Sequence, residues 1–133
     1  MTADTSRFVP WNRPSPLLDA IGGFQFDPGD PRHLGFTVEG AKLNARGFLH
    51  AGVVAAIADV AIGHALAGLT DPPTRLVTIS LSCDLLGTAS AGEWVDVTVT
   101  PTRLGRRLGA GSATFSTDRP IAGVSALFVP ALP

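Results

Sequence analysis

The sequence has one cysteine and little charge. A single cysteine, Cys83, excludes an internal disulfide framework. Charged residues make up 16% of the chain and the formal net charge is −1, with no block of like charges. This distribution argues against a nucleic-acid partner and against an acidic tail. Because the first residues also lack the apolar core of a secretory signal, we expect a cytoplasmic protein.

Hydrophobic residues are abundant, at 45% of the 133 positions. A chain of this length buries about two-thirds of its unfolded surface as one domain. We predict that this domain covers residues 15–133, after a flexible, proline-containing N-terminal arm over residues 1–14. The low charge content indicates that some surface is hidden between subunits.

The longest apolar segment runs from Ala51 to Leu69 and carries one carboxylate, Asp59, near its middle. Small and aliphatic residues surround that carboxylate, which predicts a helix buried on most of its faces. The length of the segment is near the lower limit for a membrane span, but a central aspartate alone costs about 2.5–3.5 kcal/mol on insertion scales. We therefore expect no membrane association. Because a carboxylate is costly to bury alone, Asp59 must face a wet cleft or have a partner.

Strand-like segments lie on both sides of this helix. Ser15 is predicted to cap a short helix, and short strands follow at 24–26 and 33–38. Beyond the helix-stopping Asp71-Pro72-Pro73, four segments at 77–85, 95–100, 108–117 and 121–129 show strand-like patterns joined by short links. In the first of these, apolar residues alternate strictly with Thr78, Ser80, Ser82 and Asp84. The short links predict a four-stranded antiparallel meander. The predicted fold class is α+β, with a curved antiparallel sheet around one long helix. We expect a second subunit to cover the open side of that helix.

A spaced motif leads into the long helix: Asn44-x2-Gly47-x2-His50-Ala51-Gly52-x6-Asp59. With the strand–helix–sheet order, it resembles the hotdog fold, and more narrowly the phenylacetic-acid-degradation type of acyl-CoA thioesterase, over roughly residues 15–130. The family motif has two glycines after the histidine, so Ala51 replaces the first of them. The resemblance implies that Asp59 is catalytic, and that Thr78 on the next strand lies near the aspartate of the partner subunit. It also implies a homo-oligomer with sites at a dimer interface, and we expect a dimer of dimers.

The motif supplies groups suited to thioester hydrolysis. The first amides of a helix have no intrahelical acceptor, so the amide of Ala51, with that of Gly52, is a candidate oxyanion hole. Asp59 lies about 12 Å further along the helix axis, so it cannot act beside Ala51 of its own chain. We predict a site built from two chains, in which Asp59 is a general base or a nucleophile. Thr78 would orient the water, and Asn44 would bind that water or steady the turn. This chemistry needs no metal or redox cofactor.

The remaining candidates concern binding of the CoA thioester substrate. We assign substrate contacts to Gly47, His50 and Gly52 of the motif. His50 either caps or hydrogen-bonds near the helix start or carries a proton, with the structural role favoured, and His64 is expected to be a core or interface histidine. Arg106 and Arg107 belong to the only basic cluster, with Arg103. They suit the phosphates of CoA, although exposed hairpin arginines need no such role.

Two other functions stay open on the sequence. One is an acyl-thioester hydratase or dehydratase, whose paired histidine and carboxylate are echoed only loosely by Asp30-Pro31-Arg32-His33. The other is a non-catalytic protein that binds acyl or aromatic ligands. The sequence does not specify the acyl group, nor does it distinguish CoA from carrier-protein thioesters.

Overall fold

The structure, a computed structural model, describes residues 4–131, which form a seven-stranded antiparallel sheet and one long helix. In chain order the elements are β1 (Val9–Pro10), α1 (Pro16–Ile21), β2 (Gln25–Asp27), β3 (Asp30–Thr37), a 3-10 turn (Gly40–Lys42), α2 (Ala51–Ala67), β4 (Leu76–Leu85), β5 (Trp94–Leu104), β6 (Gly109–Ser116) and β7 (Pro120–Pro130). The strand order is β1-β2-β3-β5-β6-β7-β4. This architecture confirms the predicted α+β class, with a curved sheet around one long helix.

Helix α2 is buried against the sheet along most of its length, as its apolar sequence predicted. Its buried residues are Val53, Val54, Ile57, Ala58, Ala61, Ile62 and Leu66. The helix lies close to the sheet at Gly111, where an added Cβ would lie 2.6 Å from a methyl group of Ile62. The helix ends at Ala67, two residues earlier than predicted. Among residues 4–131, no helix has the length and apolar character needed to cross a membrane.

The prediction of a four-stranded meander was wrong for its first strand. Strands β5, β6 and β7 do follow one another, but β4 pairs with β7 at the far edge of the sheet. The reason is the link between β4 and β5, which crosses under the start of α2 instead of turning back as a hairpin. In this link Ala89 is fully buried, and its carbonyl accepts a hydrogen bond of 2.8 Å from the amide of Leu49. The link therefore supports the loop that precedes the helix.

Strand β4 also departs from the strict alternation read in its sequence. Its register with β7 shifts between Thr78 and Ser80, which is a β-bulge. On one side of the bulge Thr78 is opposite Phe128, whose ring is buried, and on the other Ser80 is opposite the exposed Leu127. Since directly opposed residues share a face of a sheet, Thr78 lies on the helix side while Ser80 lies on the outer side. Strict alternation would have put both on the same face.

The N-terminal arm was predicted over residues 1–14, of which 1–3 lie outside the described residues. Val9–Pro10 pairs with β2, and the ring of Trp11 packs against Phe24 at a centroid distance of 4.8 Å. This part of the arm therefore contacts the domain, and its flexibility stays a prediction. The last two residues of the predicted domain also lie outside the described range.

Candidate active site

The loop before α2 is shaped by Asn44 and Gly47. The side-chain carbonyl oxygen of Asn44 accepts hydrogen bonds from the amides of Arg46 at 2.9 Å and Phe48 at 3.1 Å. Gly47 has φ of +85°, a left-handed conformation that glycine adopts without strain. Of the two roles expected for Asn44, the structure shows the steadying of the turn. Its amide nitrogen stays a candidate ligand for water.

His50 caps the N-terminus of α2. Its Nδ1 accepts a hydrogen bond of 2.8 Å from the amide of Gly52. Nδ1 must therefore be unprotonated, and a neutral ring carries its proton on Nε2. One consequence concerns the predicted oxyanion hole: the Gly52 amide already has an acceptor, whereas the amide of Ala51 has none among residues 4–131. Of the two predicted donors, the Ala51 amide is the one available to a ligand.

The carboxylate of Asp59 is held by Thr78. The hydroxyl Oγ1 of Thr78 donates a hydrogen bond of 2.6 Å to Oδ1 of Asp59. No arginine or backbone amide among residues 4–131 contacts this half-buried carboxylate, and its Oδ2 accepts no hydrogen bond from them. The structure thus brings together two predicted catalytic residues. Thr78 contacts the aspartate of its own chain, and its expected position near the aspartate of the partner subunit stays a prediction.

The bulge in β4 explains how Thr78 reaches Asp59. With regular alternation the hydroxyl would point away from α2 with Ser80, and the shift in register turns it toward the helix. β-Bulges occur next to active sites, where they redirect a side chain. The sequence offers no turn or glycine signal at this place, so sequence reasoning missed the bulge.

The Ala51 amide and Asp59 are separate half-sites in one chain. Eight residues of helix place them about 12 Å apart along the axis. The two groups therefore cannot act on the same small chemical group within a single chain.

Strand β4 is the bare edge of the sheet next to Asp59. Three of its apolar side chains, Val77, Ile79 and Leu85, are more than half exposed, at 51%, 54% and 54%. A long edge strand with exposed apolar residues is a template for pairing with another chain. At the opposite edge, β1 has only two residues and ends in a proline, which blunts it.

The predicted phosphate-binding arginines lie away from the helix start. Arg103, Arg106 and Arg107 are exposed and line an open groove of about 910 Å³ at the β5–β6 hairpin. Within residues 4–131 none of the three forms a salt bridge. Gly109, just after them, lies beneath Leu66 near the C-terminal end of α2. The structure therefore does not bring Arg106 and Arg107 close to Ala51 of the same chain.

His33, from the loose hydratase-like segment, pairs with a carboxylate that sequence reasoning did not name. Its Nε2 lies 2.9 Å from Oδ1 of Asp96, which also accepts a hydrogen bond of 3.1 Å from the indole of Trp94. Asp96 alternates in β5 with Val95 and Val97, which are buried on the helix side. The His33–Asp96 pair therefore lies on the outer face of the sheet, away from Asp59.

Comparison with known proteins gives a consistent family assignment. A family model described as the thioesterase superfamily matches residues 46–120. A protein of Pseudomonas aeruginosa, named as a candidate esterase, is 35% identical over 124 residues, covering 91% of this chain and 92% of that protein.

Two solved structures share the fold. A candidate esterase from Mycobacterium tuberculosis has a TM-score of 0.74 and 24% identity, covering 90% of this chain and 100% of that chain. A hypothetical thioesterase from Streptococcus pneumoniae, solved with coenzyme A, has a TM-score of 0.75 and 15% identity, covering 86% and 90%.

Proposed function

The chain belongs to the thioesterase superfamily, with its hotdog fold and thioester hydrolase activity, and we propose that its substrates are acyl-CoA thioesters. The products are then a carboxylic acid and free CoA. The observation that carries the proposed mechanism is the 2.6 Å hydrogen bond from Thr78 to Asp59. Asp59 lies on a helix whose first amide is that of Ala51, and this amide has no acceptor among residues 4–131. The phenylacetic-acid-degradation subtype is part of this proposal.

In the proposed reaction the thioester carbonyl oxygen accepts a hydrogen bond from the Ala51 amide. The positive end of the helix dipole adds to this stabilisation as charge develops on the oxygen. Oδ1 of Asp59 is held by Thr78, so Oδ2 takes a proton from a water molecule that attacks the carbonyl carbon. The tetrahedral intermediate then expels the CoA thiolate, and the proton passes from Asp59 to the sulfur. A nucleophilic route, in which Asp59 itself attacks and water hydrolyses the resulting anhydride, uses the same groups. Neither route needs a metal or redox cofactor.

The complete site requires two chains. We propose that β4 pairs with β4 of a second copy, which extends the sheet and covers the exposed Val77, Ile79 and Leu85. Asp59 lies beside this edge through its contact with Thr78. In this proposed twofold dimer Asp59 of each chain faces Ala51 of the other, so the dimer has two equivalent sites. The proposed assembly is a dimer of dimers, located in the cytoplasm.

The hairpin arginines are proposed to hold the nucleotide end of CoA. Support comes from their charge, their exposure and the absence of salt bridges to them within residues 4–131. The Streptococcus pneumoniae neighbour, which has the same fold, was solved with coenzyme A. Since Arg106 and Arg107 lie near the C-terminal end of α2, they would serve the site that contains Asp59 of their own chain.

The test is release of free thiol from a panel of aryl- and alkyl-CoA thioesters by wild type and Asp59→Asn. We expect kcat in the mutant to fall about 100- to 10,000-fold, as for the loss of a general base. Asp84→Asn is the matched control, because Asp84 is an exposed carboxylate on the outer face of the same strand as Thr78. It should retain wild-type activity.

Two results would contradict the proposal. If wild type released no thiol from any thioester, acyl-CoA hydrolysis would be wrong, and hydration and ligand binding would be tested next. If Asp59→Asn kept full activity while the protein hydrolysed the panel, the activity would stand and the site would be wrong. Circular dichroism and light scattering on each variant show whether fold and assembly are retained.

A further inference from the structure

The link between β4 and β5, residues 86–93, is held at its first half by the start of β7. The amides of Leu86 and Gly87 both donate to the carbonyl of Ile121, at 2.9 and 3.1 Å. A Cβ added at Gly87 would lie 3.0 Å from the carbonyl oxygen of Pro120, so the two backbones are in close contact there. The first half of the link is therefore fixed to the end of the β6–β7 hairpin.

The second half of the link holds the loop before α2. The carbonyl of Ala89 accepts a hydrogen bond of 2.8 Å from the amide of Leu49. The amide of Ala91 donates to the carbonyl of Gly47 at 3.3 Å. Because this loop leads directly into α2, the link connects the β6–β7 hairpin to the backbone that directs the Ala51 amide.

Arg119, in the turn of the β6–β7 hairpin, contacts the link where its two halves meet. Its Nη2 donates a hydrogen bond of 2.6 Å to the carbonyl of Thr88. Thr88 directly precedes Ala89, whose own carbonyl holds Leu49. Among residues 4–131, this is the only hydrogen bond that a side chain donates to the link. A substitution of Arg119 can therefore remove it while the backbone hydrogen bonds stay available.

A buried carboxylate oxygen gives Arg119 a second contact with the link. Oε2 of Glu93 is buried and accepts no hydrogen bond from residues 4–131, and Nη2 of Arg119 lies 3.7 Å from it. A buried anion without a counter-charge is costly, so the guanidinium balances this oxygen. The other nitrogen, Nη1, donates to Asp118 at 2.8 Å within the hairpin. The hydrogen bond from Arg119 lowers the pKa of Asp118, which keeps this carboxylate charged. One guanidinium thus joins the hairpin to both Thr88 and Glu93.

We propose that Arg119 is a positioning residue for the oxyanion hole. It holds Thr88, the adjacent Ala89 holds the loop, and the loop sets the direction of the Ala51 amide. The inference rests on the proposed function, because it concerns the donor assigned there to the thioester oxygen. Such a donor acts through its geometry in the transition state, and a displacement of about 1 Å can cost about 100-fold in rate.

The test compares Arg119→Met with wild type in thiol-release kinetics. The variant keeps an extended side chain but loses the charge and the hydrogen bond to Thr88. We expect kcat and kcat/KM to fall together, about ten-fold, with KM unchanged, which is the pattern for an interaction made only in the transition state. Asp118→Asn is the matched control, because it changes the contact of Arg119 within the hairpin and leaves the one to Thr88. It should retain wild-type kinetics.

Arg119→Lys provides a second variant if Arg119→Met does not fold. It keeps the positive charge beside Glu93, but an ammonium lacks the planar fork of the guanidinium, so kcat should fall about three-fold. Wild-type kcat in folded Arg119→Met, or an equal loss in Asp118→Asn, would overturn the proposal. A raised KM in Arg119→Met would also overturn it, since that result indicates direct contact with the substrate.

A double-mutant cycle tests whether Arg119 acts through the amide of residue 51. Ala51→Pro already lacks that amide, so adding Arg119→Met to it should cause no further loss of kcat. If the two losses multiplied instead, Arg119 would act on another part of the site and the positioning role would be wrong.

Hydrogen exchange separates a failure of this inference from a failure of the proposed function. The Leu49 amide, which donates to Ala89, should exchange about five-fold faster or more in Arg119→Met than in wild type or Asp118→Asn. This measurement needs no substrate, and unchanged exchange at Leu49 would contradict the positioning role even if the protein hydrolysed no thioester. Faster exchange together with wild-type activity in Ala51→Pro would instead overturn the oxyanion assignment, while the hold of Arg119 on the loop would stand.

Discussion

The start and the middle of α2 provide their proposed functional groups in different ways. At the start the group is a backbone amide, that of Ala51, and a loop fixed by Asn44 and His50 sets its direction. In the middle the group is a side chain, Asp59, and a hydroxyl from β4 holds it. A backbone donor does not depend on its own side chain, which explains how Ala51 can replace a glycine. The carboxylate, in contrast, exists only if the side chain at position 59 is acidic, so a substitution there removes the group itself.

The two half-sites also depend on different parts of the chain. The start of the helix depends on nearby sequence, because most of the hydrogen bonds that shape the loop come from residues 42–50 and the crossing link near Ala89. The Asp59 half-site depends on the register of an edge strand, through the bulge beside Thr78. The start of α2 is thus a local structure, and its middle is a tertiary one.

Removing the amide of Ala51 tests the first half-site most directly. Ala51→Pro deletes the N–H at the first position of the helix, where proline is well tolerated. The preceding residue, His50, has φ of −73° and ψ of 131°, which suits a residue before proline. We expect kcat/KM to fall about 100- to 1,000-fold, as for loss of an oxyanion donor. Thiol-release kinetics measure this change.

Ala51→Ser is the matched control, since it keeps the amide and changes only the side chain. It should retain activity within a few-fold of wild type. Equal activity of Ala51→Pro and Ala51→Ser, with both folded, would show that this amide is not the donor.

Mixing two inactive variants tests whether the half-sites come from different chains. Asp59→Asn and Ala51→Pro are each defective in one half-site. If they are unfolded together at equal amounts and refolded, random pairing gives mixed dimers in which one site has both intact halves. About a quarter of wild-type activity should then return. No recovery, in a mixture shown by mass spectrometry to contain mixed dimers, would contradict a site shared between two chains.

Thr78→Val tests the contact that holds the carboxylate. Valine has nearly the same shape as threonine but cannot donate to Asp59, so one oxygen loses its partner. We expect kcat to fall about ten-fold, corresponding to one hydrogen bond to a charged group. Thr78→Ser keeps the hydroxyl and should keep most of the activity. If the valine and serine variants had the same kcat, the hydrogen bond would have no catalytic effect.

The difference between local and tertiary structure also explains what could be predicted from the sequence. The cap at Ser15, the long buried helix and the motif from Asn44 to Asp59 depend on neighbouring residues, and the structure confirms each of these elements. The family assignment was equally accessible, because it followed the same spacing. The catalytic roles of these residues stay predictions.

The position of β4 could not be predicted from the same signals. Alternation and short links favour pairing with the next strand, but the link from Leu86 to Glu93 exchanges hydrogen bonds with the loop before α2 and carries the chain across the fold. The bulge near Thr78 likewise depends on pairing with β7, which is more than 40 residues away in sequence. The sequence named Thr78 through a family resemblance, whereas its pattern placed the side chain on the wrong face.

The cap at His50 gives the smallest expected effect and decides between two roles for this residue. His50→Ala removes the acceptor of the Gly52 amide, which should lower the free energy of unfolding by about 1 kcal/mol, as for other lost N-caps. A protein with several kcal/mol of stability keeps α2 folded after this loss. The Ala51 amide therefore stays in place. Because only one cap interaction is lost, kcat/KM should change less than about five-fold. His50→Asn can still cap the helix and should recover most of the stability in urea denaturation.

If His50→Ala instead lost about 100-fold or more in kcat/KM, the loss would be of the size found for proton transfer. The histidine would then belong to the chemistry rather than to the cap.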